Sequence, residues 1–345
     1  MNIKLKKLIQ KSRKILITSH ISPDPDAECS ALAVYYVLKQ LYPEKQIRVS
    51  LYPQKLPNLE FLSGHNKIEE VDLGCILHEF NPDILIFLDN NNYSMFSKNP
   101  DLIRELAEKS KLILIDHHYR NEVDPQFIKA DLEINSGRSS TCEEIYFSFV
   151  KDAEEAKVLD QKLADILLLG ILSDTGRFLY SNAYLGDTFA TTLALVDSGA
   201  SIGRLTEKLL RMSPYELIIH SELNRNVVFK DDFMYTFISD KFYNLNIKDK
   251  IDNATYKKAC HSWISVYLGN VGNALWGFVV TKDESVYKNM YSVSLRAVPD
   301  YKDVSKIALK FGGGGHKNAA GFKIESNGVD TVLRKITDKI KMLEV

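Results

Sequence analysis

The stretch that most constrains this chain is Lys111-Leu-Ile-Leu-Ile-Asp116-His117-His118. Four aliphatic residues in a row, bounded by polar ones, read as a strand buried on both faces. Such a strand belongs in a parallel sheet covered by helices. It ends in one carboxylate and two imidazoles, which packing alone does not call for. In open α/β sheets the carboxyl ends of strands are where ligands bind.

The N-terminal half repeats this pattern. Lys14-Ile-Leu-Ile-Thr-Ser-His20 reads as a strand ending at His20, and Asp83-Ile-Leu-Ile-Phe-Leu-Asp89 as one ending at Asp89. Residues 46–52 alternate as a strand does. Leu5, Leu8 and Ile9 mark a short amphipathic helix. Helical spacing recurs over 27–41, and 100–110 is a helix with Pro100 in its first turn. Strands alternating with helices predict βαβ units. Ser139-Ser-Thr141 can cap a helix over 142–150. Residues 153–172 are apolar at helical spacing and deliver Ser173-Asp174-Thr-Gly176. Helices are then expected over 184–198, 202–211 and 214–224.

From Val227 the pattern turns to β. A hairpin around Asp231-Asp232 is followed by β-rich runs at 274–281 and 291–298 and a short helix over 303–310. Then come Phe311-Gly-Gly-Gly-Gly-His316, a strand from Ala319 and a helix over 328–343. The expected class is α/β: an N-terminal parallel-sheet domain (1–186) with helices on both faces, a helical connection (187–226), and a smaller C-terminal α+β domain (227–345). A length of 345 residues agrees with two domains.

Lys and Arg number 44 against 45 Asp and Glu. No global field draws this chain to a long polyanion, so any nucleic acid it handles should be short and gripped by local groups. Cys29, Cys75, Cys142 and Cys260 form no Cys-x-x-Cys pair, which argues against a zinc ribbon or redox couple and for thiols buried in a reducing compartment. The basic start Met1–Lys14 lacks a secretory apolar core, and no apolar run reaches the ~18–20 residues of a membrane span. The cytoplasm is the expected location.

His20-Ile-Ser-Pro-Asp24-Pro-Asp26 adds an imidazole and two carboxylates. In an extended segment Asp24 and Asp26 point the same way. Capping of the next helix accounts for this loop, taken alone, equally well. Asp89 and His117 shift the balance, because adjacent parallel strands lie about 4.8 Å apart and their ends converge. Asp174 brings a further acid. Acids so gathered repel one another and are costly to desolvate, and a divalent cation removes both problems. His20, Asp24, Asp26, Asp89, Asp116, His117, His118 and Asp174 are carboxylate-rich with no cysteine, which suits Mn²⁺ or Mg²⁺ over structural zinc. They are too many for one ion. Two ions about 3.5–4 Å apart make a device for phosphate-ester hydrolysis.

These segments resemble the four motifs of the DHH phosphoesterases: His20-x-x-x-Asp24-x-Asp26, Asp89, Asp116-His117-His118, and Gly170-Ile-Leu-Ser-Asp174-Thr-Gly-Arg-Phe. Gly312-Gly-Gly-Gly-His316-Lys-Asn-Ala-Ala-Gly321 resembles the signature of the associated C-terminal domain, and Ser294-Leu-Arg296 a second signature. The resemblance covers nearly the whole chain, in family order. Length and the Asp-Thr-Gly-Arg-Phe form resemble the nanoRNase branch. The resemblance implies a metal-dependent hydrolase of short oligoribonucleotides, 3′-phosphoadenosine 5′-phosphate, or both, acting by two-metal hydroxide attack on phosphorus. It implies two Mn²⁺, with Mg²⁺ or Co²⁺ as alternatives. One would be held by His20, Asp24 and Asp89, the other by Asp26, Asp89, His117 and Asp174, with Asp89 bridging. Asp116 would orient an imidazole, and His118 would meet the scissile phosphate or the leaving oxygen.

Substrate binding is expected at Gly313, Gly314, Gly315, His316 and Asn318, where glycines open the backbone to an anion. A flexible loop after a helix end is the plain alternative. Arg296 can fork onto a phosphate or make a surface ion pair, and Arg177 can reach substrate or brace the Asp174 loop. His65, His78, His220 and His261 read as structural or surface residues. Pro25, Cys29 and Asn90–Asn92 depart from the family's usual residues without replacing a ligand, and they bear on loop shape and substrate preference. The expected partner is short single-stranded RNA or a nucleotide, with no membrane and no long duplex; a homodimer through the N-terminal domain fits this branch. A cyclic or linear di-AMP phosphodiesterase is the alternative within the class. An inactive nucleotide-binding sensor is the alternative outside it, although a sensor has no need of every metal ligand.

Overall fold

The aliphatic runs of the N-terminal half pair into one sheet in the computed structural model, which describes residues 3–341 apart from 22, 54, 120–121, 152–157, 180–184, 269, 285–288 and 299–300. The chain divides into two units, Met1–Arg211 and Met212–Val345. In the first, α1 (Ile3–Lys11) leads into β1 (Lys14–Ser19), α2 (Pro25–Leu41), β2 (Gln46–Ser50), β3 (Ile68–Glu69), α3 (Leu73–Phe80) and β4 (Ile84–Leu88). Then follow α4 (Pro100–Ala107), β5 (Lys111–Ile115), β6 (Leu132–Ile134), α5 (Thr141–Ile145), α6 (Gln161–Asp174), α7 (Leu185–Asp197) and α8 (Ile202–Leu210). All strand pairs are parallel, in the order β3-β2-β1-β4-β5-β6.

Alternation along the strands splits the core between two faces. Ile15, Ile17, Ile86, Ile113 and Ile115 pack under α2, α5 and α6, while Leu16, Leu85, Phe87, Leu112 and Leu114 pack under α3 and α4. The expected doubly covered parallel sheet is therefore present. Periodicity missed β3 and β6, which are two and three residues long, and also missed α3. The helix expected from 153 starts at Gln161, where the Asp160 side chain caps it by accepting the Leu163 N–H; part of the earlier stretch lies outside the described residues. The helix expected over 142–150 is α5 capped by Ser140, continued by a wider π-type turn over Tyr146–Val150.

The second unit holds α9 (Pro214–Arg225), β7 (Val228–Lys230), β8 (Phe233–Phe237), α10 (Asp240–Phe242), α11 (Asn253–Tyr267), β9 (Trp276–Lys282) and β10 (Met290–Ala297). It ends with α12 (Val304–Leu309), β11 (Gly314–His316), β12 (Ala319–Glu325) and α13 (Val329–Lys341). Its sheet runs β11-β12-β10-β9-β8-β7, antiparallel except for the β8–β9 pair. Trp263 and Trp276 are core residues. The stretch 187–226 is shared out, α7 and α8 lying in the first unit and α9 in the second. Cys29, Cys142 and Cys260 are buried free thiols, but Cys75 is exposed on α3.

The four-glycine run is not a loop throughout. Gly314–His316 pair with β12, Gly314 opposite Gly321 and Gly315 opposite Ala320. Close packing demands two of these glycines. A Cβ on Gly313 would overlap the Gly321 carbonyl oxygen and Phe322, and one on Gly315, already at φ +136°, would sit 2.6 Å from the Ala319 carbonyl oxygen. Gly314 has open space where a Cβ would go. Gly313→Ala is therefore expected to cost about 1–3 kcal/mol through overpacking. Gly314→Ala should stay within about 0.5 kcal/mol of the parent. Equal losses for the two variants in denaturant unfolding would show that this strand packs otherwise.

Candidate metal centre

Every acid and imidazole singled out in the first unit stands at the end of a strand or at a helix terminus. The strand order reverses between β1 and β4, the kind of place where open α/β sheets take ligands. His20 follows β1, Asp89 follows β4, and Asp116-His117-His118 follow β5. Asp89 extends the ladder by one bond, donating its N–H to Ile115 O at 3.0 Å. It then turns the chain with φ +61°, a left-handed conformation that aspartate tolerates better than most residues.

The first loop is not extended past Asp24, which corrects the same-side argument for Asp24 and Asp26. Asp24 caps α2 by accepting the Ala27 N–H at 2.9 Å. Pro25 takes the first helical position, where a missing N–H costs nothing, which accounts for that departure. Asp26 lies in the first turn of α2, wholly buried. It accepts the N–H groups of Thr141 at 2.7 Å and Cys142 at 3.1 Å, at the start of α5. The capping role and a place in the acidic cluster fall to the same loop. Asp174 arrives on the last turn of α6. That helix can pass close because residue 170 is glycine: a Cβ there would lie 2.6 Å from Asp26 Oδ1 and overlap the Cys142 thiol.

Three groups of ligand atoms result, each within 4.8 Å of one another: His20, Asp24 and Asp89; Asp26, His117 and Asp174; and Asp89, His117 and His118. Asp89 faces both histidines, with Oδ2 3.6 Å from His20 Nε2 and Oδ1 3.7 Å from His117 Nε2. His20 Nδ1 lies 3.1 Å from Ile21 O and His117 Nδ1 lies 3.3 Å from Arg138 O. If these nitrogens carry the protons, both Nε2 lone pairs turn toward the acids. His117 Nε2, 3.2 Å from Asp174 Oδ2, is buried and hydrogen-bonded to nothing among the described residues. An orphaned imidazole nitrogen among carboxylates fits a divalent cation with nitrogen and oxygen preference.

The electrostatics agree. Burial, then the charges of Asp26, Asp24 and Asp174, pushes the Asp89 carboxyl well above its ordinary range. Burial and its acidic neighbours Asp26 and Asp24 push Asp174 up to about 8. Burial also raises Asp26, against the opposing pull of His117, and lowers His117.

Asp116 has different work. Wholly buried, it accepts from His118 Nδ1 at 2.8 Å and from the His118 N–H at 3.2 Å. Burial works against its ionisation, but the His118 bonds and charge outweigh it and hold Asp116 below the usual range. In return, although burial opposes it, the Asp116 bond raises His118. The His118 ring is 48% exposed, against 13% for His117, so His118 is the open member of the pair.

Two participants escaped sequence reading. Asn91 donates to Asp116 Oδ2 at 2.7 Å and to Tyr119 O at 3.1 Å, which accounts for the middle of the Asn90–Asn92 departure. Thr141 Oγ1 donates to Asp89 Oδ1 at 2.8 Å. An asparagine after a strand and a threonine at a helix start both read as turn and cap residues, so sequence carried no distinguishing signal.

In the second unit Arg296, Ala319 and His316 stand in register across β10, β12 and β11. Asn318, in the β11–β12 turn, has a buried Oδ1 with no hydrogen-bond partner among the described residues. The His316 side chain lies outside what is described. Arg177 belongs to the first unit, exposed on a left-handed turn over Gly176, Arg177 and Phe178 that follows Asp174. Its backbone N–H braces that turn by donating to Leu172 O at 2.7 Å. His65 and His220 are buried, and their ring nitrogens bond within the fold.

The DHH family, N-terminal domain, matches residues 14–171, and the DHHA1 domain matches residues 241–342. The bifunctional oligoribonuclease and PAP phosphatase NrnA of Bacillus subtilis is 26% identical over 314 residues, 90% of each chain. The protein of the same name from Mycoplasma pneumoniae is 26% identical over 348 residues, 98% of this chain and 95% of that one. The crystal structure of an exopolyphosphatase-related protein from Bacteroides fragilis has the same fold, with a TM-score of 0.79 at 22% identity over 99% of this chain and 96% of that one.

A pH dependence follows for the metal-free protein. Asp174 keeps its proton to about pH 8 when folded, whereas an unfolded aspartate loses it near ~3.9. Between those values the folded state binds more protons, so this group's contribution to stability is full below ~3.9 and lost as pH rises toward 8. A cation takes the proton's place. Added Mn²⁺ should therefore raise the melting temperature more at about pH 8 than at about pH 5.5, and Asp174→Asn should shrink the difference. Equal shifts at both pH values in differential scanning fluorimetry would contradict this.

Proposed function

This chain belongs to the DHH family and is a hydrolase of phosphate esters, and on that premise we propose that it degrades short oligoribonucleotides and dephosphorylates 3′-phosphoadenosine 5′-phosphate. The observation that carries the metal-dependent reading is the buried cluster around Asp89, with a His117 Nε2 that makes no hydrogen bond among the described residues facing its carboxylates. The substrate class is supported by relatives named for these two activities, which match along nearly all of this chain. A balanced net charge of −1 also suits short rather than long substrates.

His20, Asp24 and Asp89 would hold one cation, and Asp26, Asp89, His117 and Asp174 a second. Two divalent cations bound there supply charge neutralisation and water activation for attack on phosphorus; Mn²⁺ is the proposed ion. The remaining work belongs to side chains. Asp116, fixed by Asn91, holds His118 with Nδ1–H committed to the carboxylate. The Nε2 of a protonated His118 can then donate to a phosphate oxygen or to the leaving oxygen. In the second unit, Arg296, Asn318, His316 and the Gly313–Gly315 backbone are the groups proposed to bind a phosphate or a base; in the first unit, Arg177 is a proposed substrate contact.

The test is product analysis of purified protein with Mn²⁺ on 3′-phosphoadenosine 5′-phosphate, linear and cyclic diadenylates, and RNA of graded length. Release of mononucleotides from di- to tetranucleotides, and of phosphate from 3′-phosphoadenosine 5′-phosphate, is expected. A preference for cyclic or linear diadenylates would favour the dinucleotide phosphodiesterase reading, and binding without turnover on every substrate would favour a sensor. Asp116→Ala/His117→Ala should lower the rate by at least about 100-fold. Arg296→Ala should raise KM about tenfold while the Mn²⁺-dependent melting shift survives. Loss of that shift in the Arg296 variant would sink the assigned division of labour.

A further inference from the structure

One element of the first unit bonds to four members of the cluster, His117, His118, Asp26 and Asp89. It is the turn over residues 135–140 between β6 and α5, with the first residues of α5. Arg138 O faces His117 Nδ1, and Asn135 Nδ2 donates to His118 O at 2.8 Å. Three residues after Arg138, Thr141 and then Cys142 hold Asp26, and Thr141 also holds Asp89. A small shift of this turn would disturb the side chains of His117, Asp26 and Asp89 and the backbone at His118 at once.

What holds the turn is a pair of adjacent buried acids on α5. Glu144 Oε1 accepts the N–H groups of Ser136 and Arg138. Glu143 Oε2 accepts the Ser139 N–H at 3.0 Å and the Ser139 hydroxyl at 2.6 Å. Both glutamates are almost fully buried, and a carboxylate is kept there only if donors satisfy it. Glu143 takes its further donors from another helix. Thr188 Oγ1 lies 3.0 Å from Oε2 and Thr191 Oγ1 3.4 Å from Oε1, both from α7. Arg138, which supplies the carbonyl to His117, also reaches α7 through Asp187 Oδ2 at 3.1 Å.

We propose that Glu143 is a positioning residue that couples the seating of α7 to the geometry of His117, so that cation binding and the ordering of α7 strengthen together. The inference rests on the proposed metal role of His117. The coupling runs through a chain of hydrogen bonds: α7 hydroxyls to Glu143, Glu143 to Ser139, and the neighbouring Arg138 carbonyl to the imidazole. Linkage makes it reciprocal, so whatever loosens α7 weakens the cation and the cation tightens α7. Partners that orient metal ligands usually change affinity by about 10–100-fold when removed.

Three variants of the full chain test this: Glu143→Gln, Thr188→Val and Thr188→Ser. Mn²⁺ affinity is read by calorimetry and backbone hydrogen exchange of residues 185–197 with and without Mn²⁺. In the parent, Mn²⁺ should slow exchange across α7. Glu143→Gln should weaken Mn²⁺ binding about tenfold and remove that protection. Thr188→Val, on a different helix and nearly isosteric, should weaken binding in the same direction, and Thr188→Ser should restore it. If Glu143→Gln does not fold, the Thr188 pair decides. Parent-like Mn²⁺ affinity in Thr188→Val, even with a lowered melting temperature, would leave these residues merely structural and overturn the proposal. A parent protein that binds no Mn²⁺ would instead overturn the metal reading itself, and this inference with it.

Discussion

The repulsion among Asp24, Asp26, Asp89 and Asp174 is the constraint on which the rest of the first unit depends. Four carboxylates gathered at one end of a sheet, two of them almost fully buried, would drive a chain apart unless something compensates. Part of the compensation is built in. The start of α5 gives Asp26 two N–H bonds, and Thr141 gives Asp89 a hydroxyl. The remainder stays outstanding as raised carboxyl pKa values and a buried imidazole nitrogen with no hydrogen bond among the described residues. Such a residue of uncancelled charge is a strong physical argument for a cation.

The fold explains why these acids can be brought so close. A parallel sheet places the carboxyl ends of β1, β4 and β5 side by side, and the reversal of strand order between β1 and β4 leaves room there. The helices around it are specialised for the same spot: α2 begins with Asp24 and Asp26, α5 points its first N–H groups at Asp26, and α6 ends with Asp174. Gly170 is the concession in packing that lets α6 approach. The aliphatic core on both faces stabilises a framework whose functional end is electrostatically unfavourable, a usual division between scaffold and site.

Much of this was legible in the residues themselves. Runs such as Lys111–Ile115 read as buried strands, and an acid or histidine at the end of each marks the site end of the sheet. The order of these motifs along the chain, and the glycine-histidine run with its upstream arginine, carried the family resemblance that the domain matches bear out. Elements of two or three residues such as β3 and β6 left no periodic signal, because pairing with a neighbour, and not local pattern, makes them strands.

What sequence by itself determined was therefore the chemistry: which side chains can carry charge or a cation, and that they lie at strand ends. Tertiary structure decided the assignments of support. That Asn91 serves Asp116, that Thr141 serves Asp89, that Asp26 sits in a helix rather than in an extended loop, and that Gly313 and Gly315 answer to packing while Gly314 does not, all depend on contacts between segments far apart in the chain. Hydrogen bonds between distant segments have no local sequence code. A threonine that caps a helix and a threonine that also orients a buried carboxylate are the same residue until the fold brings the carboxylate to it.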